Sequence, residues 1–262
     1  MSKPLIPAQR RERIQSYLAT HKIVATTDLC SLLDVSEATV RRDLEWLEDR
    51  GLIERTHGGA IINERINLEQ EYRQRALRQT EEKRQIGALS AAQIQDGDIL
   101  FINSGTTTTQ LIRSIRSDAD ITVITNNLIA PLDIGEVDFE VLVLGGSFQP
   151  RSNSLAGRFA IQNLSQVYAT KAFIGVDGIS IKHGCTVPSN SEAEVVHMML
   201  ERTQGPVYIL ADYSKWGVVS NFEISPIQRV NKLITDSHLD PSAYASLAAY
   251  SIEILIAGNN SK

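Results

Sequence analysis

Two adjacent arginines, Arg41 and Arg42, follow a serine in the stretch Ser36-Glu37-Ala38-Thr39-Val40-Arg41-Arg42-Asp43-Leu44. Guanidinium groups grip guanine edges or phosphates in bidentate fashion. Hydroxyls at a helix start, here Ser36 and Thr39, hold phosphates beside free backbone N–H groups. These groups act together only on a helix with Val40, Leu44 and Leu47 turned inward. That places Ala38, Arg42 and Glu45 on the opposite face and Arg41 to one side, and the small Ala38 lets such a helix approach base edges closely. Downstream, Arg55, His57 and Gly58 fall on a turn-rich stretch that reads as a hairpin wing, suited to contact with the sugar-phosphate backbone or the minor groove. An Arg-Arg pair on an amphipathic helix is, by itself, merely a solvated face. Tight helix spacing, a serine cap and a glycine-bearing hairpin, all within about forty residues, point instead to a reader of double-stranded DNA.

A second constellation lies past residue 98. The strand-like Ile99–Asn103 runs into Ser104-Gly105-Thr106-Thr107-Thr108-Thr109 and then into a helical pattern. Strand, hydroxyl-rich loop and helix start make an anion site, because N–H groups and the helix dipole converge on the loop. No GxxxxGK[ST] pattern occurs, so it is not a P-loop. An ordinary Ser/Thr-capped helix has the same look. Further polar clusters follow other strand-like segments: Asn126-Asn127, Gly145-Gly146 with Arg151, Asp177-Gly178, and Asp212 with Ser214 and Lys215, while Glu192 opens a helix. Each alone is common turn chemistry. Their recurrence at successive strand ends is where ligands collect in open α/β sheets.

The elements that position these groups are expected as follows. Helices over Pro7–Thr20, Thr27–Leu33 (capped by Thr26 or Thr27) and Glu37–Asp49 (capped by Ser36, with Gly51 past its end) precede β-prone Leu52–Arg55 and Ala60–Ile62. From Asn63 to Glu82 the composition turns charged and glutamine-rich, the signature of a linker that becomes helical. Beyond it, near-continuous apolar strands are expected at Ile99–Asn103, Ile121–Thr125, Val141–Leu144, Ala172–Val176, Val207–Ala211, Leu233–Thr235 and Ile252–Ile256. Helical patterns over Glu81–Gln95, Thr107–Ile115, around Leu128–Leu132, Arg158–Tyr168 and Ser191–Thr203 intervene. The alternation predicts a mainly parallel sheet covered on both faces.

Composition narrows the function classes. No apolar run reaches the length of a membrane span, and the basic start at Arg10, Arg11 and Arg13 is not followed by a cleavable apolar stretch, so a cytoplasmic protein that makes no membrane contact is expected. Cys30 and Cys185 lack ligand spacing, which predicts plain thiols, no metal site and no cofactor. Net charge is −5, but residues 1–61 balance nine basic against nine acidic side chains. A sequence-specific reader needs only a local basic surface. A general nucleic-acid coat fits poorly with this acidic balance and few aromatic clusters.

The run Ser36–Leu44, followed by Gly51-Leu52-Ile53, Arg55-Thr56-His57-Gly58-Gly59-Ala60 and Glu82-Lys83-Arg84-Gln85-Ile86, resembles the signature of DeoR/GlpR-type bacterial regulators over nearly the whole chain. That resemblance implies an α/β protein: a winged helix-turn-helix DNA-binding domain (1–62), a linker (63–80), and an α/β effector-sensing domain (81–262) similar to ribose-5-phosphate isomerase. It also implies an oligomeric repressor, dimer or tetramer, of carbohydrate genes, answering to a phosphorylated small-molecule effector. By the same likeness Ser104, Gly105, Thr106 and Thr107 would cradle the phosphate. Asn127, Gly146, Arg151, Asp177, Glu192, Asp212 and Lys215 would surround the sugar. Asn103 departs from the family pattern, where many relatives carry Asp, and is left off the expected contacts. The competing reading is an isomerase-like enzyme with an accessory N-terminal module, since Asp177, Glu192, Asp212 and Lys215 suit proton transfer.

Overall fold

The computed structural model describes residues 5–21, 23–50, 52–56, 58–62 and 72–258. His57, Gly51 and the first half of the expected linker lie outside the described residues. The chain forms two compact units, Met1–Glu71 and Tyr72–Lys262.

In the first unit, helices α1 (Pro7–His21), α2 (Thr26–Leu33) and α3 (Glu37–Glu48) stand over a small antiparallel sheet. Its strands β1 (Ile23–Ala25), β2 (Ile53–Thr56) and β3 (Gly59–Ile62) run in the order β1-β3-β2. Ile14, Leu18, Leu29, Leu33, Val40, Leu44 and Leu47 form one buried cluster with Val24, Ile53 and Ala60. The α2–α3 connection is tight because Asp34 takes the left-handed conformation (φ 53°) and returns its N–H to the Cys30 carbonyl. α2 has Ala25, not a threonine, at its N-cap, because β1 feeds directly into the helix; the Thr26 N–H is taken by the Gly58 carbonyl at 2.8 Å. On the buried side of α3 sits Asp43, 1% exposed, bonded by Arg10 Nε at 2.7 Å and Arg11 Nε at 2.9 Å. Arg11 also lies 4.2 Å from the Trp46 ring, which Arg50 covers from 3.7 Å.

In the second unit, seven parallel strands follow the order β15-β14-β12-β9-β4-β5-β6. They are β4 (Ile99–Ile102), β5 (Thr122–Thr125), β6 (Glu140–Val143), β9 (Lys171–Gly175), β12 (Val207–Leu210), β14 (Lys232–Asp236) and β15 (Glu253–Ala257). Alternate residues feed two cores. Leu100, Ile102, Phe173, Tyr208, Leu210 and Ile234 pack with Ile86 of α4 (Thr80–Ala91) and Leu111 of α5 (Thr106–Ser114). Phe101, Ala172, Ile174, Val207, Ile209 and Leu233 face the opposite core. That core is built by α7 (Arg158–Leu164), α8 (Asn190–Glu201) and α9 (Pro241–Ala248). α6 (Ala130–Asp133) is a single turn. Gly87 lets α4 and α5 close together, since a Cβ there would lie 2.6 Å from the Gln110 backbone. From β4 the chain first winds outward through β5 and β6. It then returns to pair β9 on the other side of β4. The crevice between the C-terminal ends of β4 and β9 is therefore a topological switch point.

Two small sheets decorate this core: the hairpin β7 (Ser147–Gln149) with β8 (Ser154–Ala156), and β10 (Gly178–Ser180), β11 (Gly184–Val187) and β13 (Phe222–Ser225) in the order β10-β11-β13. Cys185 is buried in β11, and burial pushes its thiol up to about 12. No helix among the described residues is long and apolar enough to cross a membrane.

The Asp43 clamp ties α1 to α3. Replacing Asp43 with Ala removes two charge-assisted bonds and should lower the first unit's stability by about 1–3 kcal/mol. Differential scanning calorimetry should show that unit's transition falling while the second unit's stays in place.

Candidate functional site

Ser36 occupies the N-cap position of α3 (φ −66°, ψ 152°), yet its hydroxyl does not cap the helix. It meets Thr39 Oγ1 at 3.0 Å instead, so both hydroxyls and the first N–H groups stay at the solvent end. Val40, Leu44 and Leu47 are buried, while Ala38, Arg41, Arg42 and Glu45 are exposed. Arg41 is paired with Glu37 at 2.6 Å, an exposed i,i+4 contact of small worth in water. Arg42 has no partner among the described residues. Arg55 on β2 is tied back to the helix by Glu45 at 3.3 Å and Glu48 at 3.9 Å, which fixes the start of the hairpin against α3. Gly58 is exposed at the turn before β3. The face opposite the core thus carries a small residue, two accessible guanidinium groups and an uncapped helix end.

The second unit holds a cavity of about 290 Å³ at the β4/β9 switch point. The Asn103 side chain closes the seam between the two strands. Its Nδ2 donates to the Gly175 carbonyl at 2.9 Å and its Oδ1 accepts from Gly175 N at 2.7 Å. Only a side chain with both a donor and an acceptor makes this pair. An aspartate would set a carboxylate oxygen against the Gly175 carbonyl, which accounts for asparagine here. Asn103 also lines the cavity, contrary to its omission from the expected contacts.

Ser104, Gly105, Thr106 and Thr107 line one wall at the start of α5, which has no side-chain cap. Ser104 N–H is engaged by Asn126 Oδ1 at 2.8 Å, and the Thr108 and Thr109 hydroxyls fold back on the Gly105 carbonyl at 3.1 and 2.8 Å. What remains is an uncapped helix start with the Thr106 and Thr107 hydroxyls beside it. Asp177, Glu192 and Lys215 line the cavity as the sequence suggests. Glu192 accepts from Ser152 Oγ at 2.7 Å, and burial raises its carboxyl above the usual range.

Other expected residues stand elsewhere. Asn127 is a brace: its Oδ1 accepts from Ile129 N and Ala130 N at 2.8 and 3.1 Å, and its Nδ2 donates to Thr109 Oγ1 at 2.9 Å. Gly146, at φ +152°, lets β7 lie against β8, where a Cβ would come within 2.5 Å of the Ala156 carbonyl. Arg151 is not among the lining groups, but its carbonyl accepts from Arg75 and its charge acts on Glu192. Asp212 is 2% exposed; its Oδ1 holds the turn that carries Lys215, and its Oδ2 is buried without a hydrogen-bond partner among the described residues.

Sequence reasoning missed three cations that line the cavity, Arg75, Arg78 and Lys83. They come from the helical stretch 72–77, the turn after it, and α4. Tyr72 anchors this segment, its hydroxyl 3.3 Å from Thr109 Oγ1. Lys83 Nζ donates to the Arg75 and Arg78 carbonyls at 2.5 and 2.6 Å. Burial pulls Lys83 down to about 8, against the opposing pull of Asp212. The spacing Arg75, Arg78, Lys83 was visible, but a charged glutamine-rich setting reads as solvated. The cavity therefore sets four cations and a helix N-terminus against two lining carboxylates, a balance suited to an oxyanion ligand.

Residues 10–66 match the DeoR-like helix-turn-helix domain, and residues 78–237 match the DeoR C terminal sensor domain. The HTH-type transcriptional repressor GlcR of Bacillus subtilis is 34% identical, covering 95% of each chain. The HTH-type transcriptional regulator GlpR of Haloferax volcanii is 31% identical over 96% of this chain and 98% of its own. Among solved structures, the sorbitol operon regulator SorC of Klebsiella pneumoniae aligns with 92% of this chain and 98% of its own at 13% identity and a TM-score of 0.42. The helix that presents Arg41 and Arg42 lies within the first matched domain, and the switch-point cavity lies almost wholly within the second. The chain belongs to the DeoR family of helix-turn-helix transcriptional regulators.

Proposed function

We propose that this regulator reads a double-stranded DNA operator with α3 and represses carbohydrate-metabolism genes under control of a phosphorylated sugar or related metabolite. The observation that carries the DNA half is the α3 face itself: exposed Ala38, Arg41 and Arg42 opposite buried Val40, Leu44 and Leu47. Ser36 and Thr39 stand at its uncapped end, where duplex phosphates bind. Arg55, His57 and Gly58 serve the wing. The similarity to a Bacillus subtilis protein named as a repressor supports the direction of control. Repeated half-sites call for paired heads, hence at least a dimer.

The cavity supports the effector half. The α5 start with Thr106 and Thr107 takes the phosphate, and the cations opposite complete its charge. Glu192, Asn103 and Ser152 serve the hydroxyl groups. Ligand binding biases the heads through differential affinity for two states of the protein. The reading includes no turnover of the ligand.

Three measurements test it. Arg41→Ala with Arg42→Ala should leave the thermal transition within about 1 kcal/mol of wild type, since both side chains are exposed. The same variant should lose about 10- to 100-fold or more in operator affinity, one base-edge or phosphate contact being worth about 1–3 kcal/mol. Unchanged sequence-selective binding would remove the assignment. Calorimetry with matched sugars and sugar phosphates should show a clear preference for the esters, and equal affinity would count against the cradle.

The third concerns pH. Burial brings Lys83 down to about 8, and a bound anion favours the charged form. Ester affinity should therefore fall as pH rises through about 8 and also below about 6, where the phosphate becomes a monoanion. Lys83→Met should flatten the alkaline limb and leave the acid limb, with lower affinity throughout because the Arg75 and Arg78 carbonyls lose their donor.

A further inference from the structure

Arg75 is held in an incomplete way. Its Nη1 lies 3.4 Å from Asp177 Oδ1, longer than the 2.7–2.9 Å of a firm charge-assisted bond. Its Nη2 donates to the Arg151 carbonyl at 2.5 Å, and its Nε is buried with no hydrogen-bond partner among the described residues. A buried donor left unmade is costly, and a guanidinium offers a fork of donors that one distant carboxylate oxygen does not satisfy. The side chain is part of the cavity wall, facing the same space as the Gly105–Thr107 loop and Lys215. The backbone beneath it is fixed on both sides. Tyr72 is bonded to Thr109, and Lys83 grips the Arg75 carbonyl. A fixed backbone with an under-satisfied guanidinium leaves the side chain as the part that can change partners.

We propose that Arg75 is the cavity's exchangeable anion ligand, held by Asp177 and transferred to a phosphate group when one binds. This deepens the reading of the cavity as an oxyanion site and rests on it. A phosphate carries up to two charges and three strong acceptor oxygens, so it satisfies both arms of the fork that Asp177 meets only in part. Asp177 is then an internal competitor that sets the concentration at which the ligand takes over, not a ligand for sugar hydroxyls. Arg75 lies four residues beyond Glu71, where the two units divide, so the exchange places ligand occupancy on the opening segment of the sensing unit.

A double-mutant cycle on the full chain tests the exchange, with inorganic phosphate and a hexose 6-phosphate as probes in parallel calorimetric titrations. Arg75→Met should weaken both probes about 10- to 100-fold, the worth of a charged hydrogen-bonded contact. Asp177→Asn should tighten both about 3- to 10-fold by releasing Arg75. That gain should vanish in the Arg75→Met background. A gain that persists there would show that Asp177 acts only through its field, and a loss of affinity in Asp177→Asn would make it a direct ligand; either overturns the proposal. Should Arg75→Met not fold, Arg75→Lys, which keeps the charge and loses the fork, should bind more weakly than wild type and blunt the Asp177→Asn gain. If wild type binds neither probe, the oxyanion reading of the cavity fails. If wild type binds and Arg75→Met changes affinity less than twofold, only the role of Arg75 fails.

Discussion

The reciprocal bonds between the Asn103 amide and the Gly175 backbone hold the seam on which the second unit is organised. β4 and β9 are neighbours in space but separated by an excursion through β5, β6 and the β7–β8 hairpin, so their C-terminal ends diverge into loops running opposite ways. Such a gap comes with a doubly wound sheet, and here the sheet opens a crevice instead of a packed edge. The side chain of Asn103 supplies the rung that the backbone no longer makes. With the seam fixed, the Ser104–Thr107 loop on one side and the Gly175–Asp177 strand end on the other face a common space. Most of the other site features depend on this: the helix start of α5 is aimed because β4 is pinned, and Asp177 meets Arg75 because β9 is.

Much of this architecture was legible in the residues. All seven strands of the parallel sheet were visible as short apolar runs, even the largely exposed edge strand β6, and doubly buried runs such as Phe173–Val176 and Val207–Ala211 have no competing reading as amphipathic helix. The three-residue strands were not. β1, β7, β8 and β10 are too short to show a period, and their pairing is fixed by the elements they lie against. α9 escaped notice because its alanine- and serine-rich sequence has little amphipathic contrast; Ala243 and Leu247 bury it against the sheet.

The site divides along the same line. Residues immediately after strands were found, because strand ends are readable and polar groups there have a reason to be present. Asn127 and Gly146 also follow strands, yet the structure gives Asn127 the bonds of a brace and Gly146 a close backbone approach; a polar or glycine residue after a strand looks the same in either role. Arg75, Arg78 and Lys83 were missed for a converse reason. They lie on a segment whose charge and lack of apolar period resemble a solvated linker, and only the tertiary pairing of Tyr72 with Thr109 lays that segment along the cavity. No local property of the sequence reports such a pairing.

The same logic governs charge in the first unit, where nine basic residues are matched by nine acidic ones over 1–61 and yet Arg41 and Arg42 stay accessible on α3. The acids are spent selectively. Asp43 holds Arg10 and Arg11 on the buried side of α3, and Glu45 and Glu48 hold Arg55 at the hairpin, so these cations brace the fold. Arg41 has only an exposed partner on its own helix, a contact that water and salt weaken and that a phosphate can displace at little cost. Arg42 has none among the described residues. Among the described residues, Arg41 and Arg42 thus stay accessible on a locally neutral domain, which favours a geometric fit over indiscriminate attraction to any polyanion. In the sensing unit Arg75 meets Asp177 at 3.4 Å in a comparably loose contact, so on the proposed reading specificity lies in what the ligand must displace as much as in what it contacts.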